Sequence, residues 1–209
     1  MRYIGEVFPM NSEWSARHSV QAVALRTAAL INALADESPA AGRVAEVLRE
    51  HGETDPIKLS DSDIAGMRTA ALHLREVFAA LHVDAAAASL NGLLPQSTGT
   101  LRLTSHGGSS PWHPHLDSKD DAPWSEWFLA SSCLALTVLV WDRQRPPGGI
   151  CTSPACRNVF LTQGSGPTRR YCSRRCATRE RVAAHRRAKK RAGPAASGVD
   201  PAEGRSYRG

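Results

Sequence analysis

The chain has 209 residues, 42% of them hydrophobic, and a formal net charge of +6, a length and composition that allow one medium and one small globular domain. No secretory leader is expected, because residues 1–12 contain Glu6 and Pro9 and no apolar run of the needed length. The longest apolar run, Trp127 to Trp141, has 15 residues and falls short of the roughly 20 that a membrane span needs. It is expected as a buried core helix in a cytoplasmic protein without membrane association. In that reducing compartment paired cysteines more often bind metal than form disulfides.

Charge is unevenly placed. From Asp142 to Arg191 there are 14 Lys or Arg against Asp142 and Glu180, a local charge of +12 that leaves −6 for the remainder. Such asymmetry points to a polyanion partner for one part of the chain, against the alternative of a basic tail that only aids solubility.

In chain order, apolar residues recur with helical spacing from about Trp14 to Leu34, at Val20, Val23, Ala24, Leu30, Ile31 and Leu34. A second helix is predicted to begin at Ser38, with Pro39 in its first turn, to carry Val44, Val47 and Leu48 inward and to stop at Gly52. Ser60 and Asp63 have the spacing of a capping box. The helix that follows places Ile64, Met67, Ala71, Leu74, Phe78 and Leu81 on one stripe, read as core packing. A short helix is predicted over Ala85 to Leu94, ending at Pro95. Leu101 and Leu103 alternate with polar residues, His106 to Pro111 reads as a turn, and Trp112 to Leu116 can return as an edge strand, the only place in a sheet that Pro114 allows. Pro123 opens the apolar helix ending near Trp141, and the Pro/Gly stretch 143–149 is the predicted linker. The domains are thus expected at 1–142 (helical), 150–192 (a small metal module) and 193–209 (a disordered tail, from its small, Gly/Pro-rich composition).

The module holds Cys151, Cys156, Cys172 and Cys176, two short-range pairs separated by 15 residues. Each pair offers two thiolates from one turn of backbone, which is what tetrahedral zinc requires. The spacing matches neither ferredoxin pattern. Thr152 to Ala155 is predicted as a knuckle, and Arg157 to Tyr171 as a hairpin turning at Gly164–Gly166 with Phe160 and Tyr171 as apolar anchors. A helix from near Cys172 would present Cys172 and Cys176 on one face. Knuckle, hairpin and helix together are the layout of a treble-clef finger. Zinc would supply folding free energy on the order of 10 kcal/mol, and four protein ligands close the coordination against a catalytic water. The helix continues into a stretch with almost no apolar stripe. Arg169, Arg170, Arg174, Arg175, Arg179, Arg181, Arg186, Arg187 and Lys190 are the candidate nucleic-acid contacts, arginine favouring bidentate bonds to phosphate or guanine.

From Cys151 to Lys190 the residues resemble the CGNR zinc finger. Phe160, Arg169, Arg170, Tyr171, Cys172, Cys176 and Arg179 fall at that family's positions, while the name-giving motif reads Cys176-Ala177-Thr178-Arg179 and Thr162 and Gly164 stand where Asp and Ser are customary. The part from roughly Val20 to Val140 is similar to the ABATE-type domain that precedes this finger, through Leu30-Ile31-Asn32-Ala33-Leu34. The resemblance implies a bacterial, stress-linked transcription regulator in which zinc is held by the four cysteines and the finger binds DNA.

Other residues carry weaker signals. His113 and His115 flank Pro114, with His106 and Asp117 close in sequence. They are read as exposed loop histidines, since a single edge strand does not preorganise a second metal site. Trp112, Trp124 and Trp127 are read as core packing rather than as a pocket lining, and Cys133 as a buried small hydrophobe. No phosphate loop, Ser/His/Asp motif or carboxylate pair is present, so no enzyme is expected. The expected architecture is mainly α: a helical domain with a small hairpin, then a four-cysteine zinc finger with a basic C-terminal helix. The expected function is zinc-dependent DNA binding in transcription regulation, with the helical domain sensing a small-molecule effector or forming a homodimer. An RNA- or ribosome-associated zinc protein and a protein-interaction adaptor are the alternatives.

Overall fold

The computed structural model describes residues 19–97, 99–108, 112–162 and 169–191. The expected turns at Gly164–Gly166 and Ser109–Pro111, the helical start at Trp14 and the disordered tail lie outside these residues. The chain divides into two units, Met1–Cys172 and Ser173–Gly209.

In the first unit, helix α1 (Val20–Ala33) begins where the Ser19 hydroxyl accepts from the Ala22 N–H at 3.1 Å, satisfying an orphan donor of the first turn. Helix α2 (Ala41–Glu50) buries Val44, Val47 and Leu48 as predicted. It starts after Ala40, which makes no side-chain cap bond, and not at Ser38. Its end is set by Gly52, whose φ of +98° is a conformation glycine adopts without steric cost. Helix α3 (Asp61–Ala79) opens on the capping box: Asp63 N–H donates to the Ser60 hydroxyl at 3.1 Å, and Ser60 N–H donates to the Asp63 carboxylate at 2.9 Å. Ile64, Met67, Ala71, Leu74 and Phe78 form its buried stripe. Leu81 does not continue it. The helix stops at Ala79, Ala80 turns extended, and Leu81 is left 94% exposed.

Helix α4 (Val83–Leu93) is capped by the His82 ring, and Pro95 sits in the 3₁₀ turn that follows. Strands β1 (Arg102–Thr104) and β2 (His113–His115) pair antiparallel, with Leu103 opposite Pro114. Their apolar side faces out: Leu101, Leu103 and Trp112 are all more than half exposed. Trp112 is therefore not a core residue, and Trp124 and Trp127, which meet edge-on at 5.3 Å, are partly buried, packing against the core and also lining a cavity, a role beyond the core packing expected of them.

Helix α5 (Trp124–Arg143) packs against α1, α3 and α4. By length and composition it could cross a membrane, but its Phe128, Cys133, Leu136 and Leu139 sit in the same buried cluster as Leu30, Met67 and Leu74. The Thr27 and Ser132 hydroxyls bond each other at 2.9 Å within the α1–α5 contact, so this buried polar pair is satisfied. After α5, strands β3 (Gly148–Ile150) and β4 (Val159–Leu161) form a second antiparallel hairpin. It packs on α1 and α3, and Val159 and Leu161 belong to the helical core. The second unit holds, among its described residues, helix α6 (Arg174–Arg191).

Candidate metal centre

The C-x4-C pair is positioned by the β3–β4 hairpin. Cys151 directly follows β3, and its N–H donates to the Asn158 carbonyl at 2.8 Å, continuing the ladder. Cys156 N–H turns back to the Ser153 carbonyl at 2.9 Å, closing the predicted knuckle around Pro154 and Ala155. The strands therefore flank the knuckle. The predicted hairpin over Arg157–Tyr171 differs from this: β4 pairs backward with β3, and residues 169–171 are not strand. They are tied to the knuckle instead, Thr152 donating to the Arg170 carbonyl from its N–H at 2.9 Å and its hydroxyl at 3.0 Å. Cys172 is thereby brought to Cys156, Sγ to Sγ 3.6 Å. Cys176 lies in the first turn of α6, where its N–H donates to the Ser173 hydroxyl at 3.2 Å, the N-cap arrangement.

One Sγ from each of Cys151, Cys156, Cys172 and Cys176 falls within 4.8 Å of the others. Tetrahedral zinc with sulfur at about 2.3 Å sets its ligands about 3.8 Å apart, so this set fits the ion. None of the four is in a disulfide, and Cys151 and Cys176 are buried. The Arg179 guanidinium donates to Cys176 Sγ at 3.6 Å, placing a positive charge beside a site where four thiolates outweigh a divalent ion. The family model of the CGNR zinc finger matches residues 149–189. That segment is a CGNR zinc finger. No curated protein matches the chain. The Ala177 and Thr178 departures leave the finger's cysteine frame intact, and Ala177 N–H takes its place in the first helical turn by donating to the Ser173 carbonyl at 3.1 Å.

The candidate nucleic-acid contacts are placed as follows. Arg169 lies over the Phe160 ring at 5.4 Å and donates to the Cys172 carbonyl at 2.9 Å, and Arg170 lies 5.8 Å from the Tyr171 ring. Arg174, Arg175, Arg179, Arg181, Arg186, Arg187 and Lys190 are exposed along α6, where Arg179 also pairs with Glu180 at 3.8 Å.

Two features escape sequence reasoning. Asn32 of α1 holds the finger's hairpin: its amide donates to the Val159 carbonyl at 3.0 Å while its oxygen accepts from Val159 N–H at 2.8 Å. A side chain thus supplies both bonds that a neighbouring strand would make. The Leu30–Leu34 motif is visible in the sequence, but its partner lies 127 positions away. The second is His106, His113 and His115, read from the sequence as exposed loop histidines and found partly buried and in contact with one another. The antiparallel β1–β2 register and the turn after β1 bring them into contact.

Proposed function

We propose that this protein is a zinc-dependent DNA-binding transcription regulator acting in a reducing cytoplasm, without catalytic activity in the finger. The observation that carries the reading is α6. Among its 18 residues only Cys176 is buried, and nine are Arg or Lys against one Glu. Such a helix gains little from packing, and its self-repulsion is relieved where phosphates replace condensed counterions. Zinc fixes its first turn through Cys176, so metal loss and loss of binding go together. The ABATE-like helical part is assigned to effector sensing or homodimerisation, which suits a unit with its own core.

Fluorescence anisotropy of the zinc-loaded chain on duplex DNA, with structured RNA as competitor, tests this. Binding that survives excess RNA, vanishes on chelation and returns with zinc is expected. The log–log salt slope should be about −4 to −5 if about five side chains neutralise phosphates. A preference for RNA would favour the ribosome-associated reading. Failure to bind either, with an acidic protein retained, would favour the adaptor.

A further inference from the structure

Away from the cysteines, the ring nitrogens of three histidines converge on one point. His113 Nε2 lies 3.1 Å from Nε2 of His106 and 3.1 Å from Nε2 of His115. His113 and His115 share one face of β2, and His106 reaches them from the turn after β1, where it adopts a φ of +47°. The outer nitrogens of two rings face carboxylates: His115 Nδ1 is 2.8 Å from Asp117 Oδ1, and His106 Nδ1 is 3.4 Å from Asp120 Oδ2. Those carboxylates are themselves held. Arg102 bonds Asp117 at 2.8 Å and Asp120 at 2.6 Å, and the Thr104 hydroxyl donates to Asp120 at 2.7 Å.

This outer ring decides the chemistry of the inner one. A neutral imidazole that donates Nδ1–H to a carboxylate presents a lone pair at Nε2. With His115 in that state, its Nε2 lone pair is turned toward His113 Nε2, and His106 Nε2 closes on the same atom from the other side. A cation can draw on all three nitrogens at once. Metal–nitrogen bonds of about 2.1 Å place ligand nitrogens about 3.0 to 3.4 Å apart, and the 3.1 Å contacts match. The trio borders a cavity of about 490 Å³ whose wall includes Val20, Val23, Arg26, Trp124 and Trp127. Three protein nitrogens beside an open space leave room for a fourth, exchangeable ligand.

We propose that His106, His113 and His115 bind a second divalent metal ion of the class that imidazole prefers, zinc first, with one coordination position open to the cavity for water or a small oxygen-donor ligand. The site shares no residue with the thiolate cluster, so the two are scored separately. The full chain, loaded with excess Zn2+ and desalted, should retain two equivalents. His113→Ala with His115→Ala should retain one, with an unchanged far-ultraviolet spectrum. If that variant misfolds, Cys172→Ser carries the test: it should keep one zinc whose X-ray absorption shows a nitrogen/oxygen shell without sulfur. One equivalent in the wild type and none in Cys172→Ser overturns the proposal. With Co2+ in the histidine site of Cys172→Ser, acetate should shift the visible d–d bands, and unchanged bands would refute the open position.

Discussion

The Asn32 side chain ties the finger's hairpin to the helical core. Asn32 satisfies the N–H and the carbonyl of Val159, a residue only 2% exposed. Asn32→Ala strands both groups, so a loss of about 1–3 kcal/mol is expected. Urea denaturation of zinc-loaded protein measures it, and an unchanged midpoint would mean the clamp contributes nothing. Cys133 contrasts with the four ligands. It is fully buried in the helical core, and burial pushes its thiol up to about 12. The thiolate is the reactive form, so Cys133 should resist thiol reagents at pH 8. A thiol titration should count four cysteines after chelation and the fifth only after unfolding. Five on chelation alone would place Cys133 outside the core.

At the scale of elements, the β3–β4 hairpin joins the finger to the helical core. Gly148 sits where an added Cβ would fall 1.8 Å from the Phe160 carbonyl oxygen and 2.9 Å from the Phe78 ring. Gly148→Ala must push the strands apart, and a loss at the upper end of the about 1–3 kcal/mol typical of overpacking is expected. A normal melting temperature would contradict the strand assignment. Elements written in local spacing are legible in the sequence: the capping box of α3, its stripe from Ile64 to Phe78, the apolar α5 and the cysteine frame. Each needs only neighbours within a few residues. Leu81 departs from the expected stripe because periodicity cannot say where a helix stops. The β3–β4 pairing, the Asn32 clamp and the histidine trio depend on contacts fixed by packing or by strand register. The outward apolar face of β1–β2, with Leu101, Leu103 and Trp112 exposed, is equally invisible in the sequence, since alternation does not say which face is covered.

For the whole molecule, the division of charge remains the feature that ties structure to function. Most of the +12 carried from Asp142 to Arg191 lies on an exposed helix whose first turn supplies a metal ligand. Replacing Arg186 and Arg187 with alanine should weaken duplex binding and flatten the salt slope by about 2 without loss of zinc. A slope unchanged in that variant would mean these side chains do not meet phosphate. Finger and basic helix alike depend on four thiolates gripping one ion. Zinc K-edge X-ray absorption on the full chain carrying His113→Ala and His115→Ala tests that directly. Four sulfur scatterers at about 2.3 Å are the predicted shell, and a shell of nitrogen or oxygen, or no bound zinc at all, would contradict it.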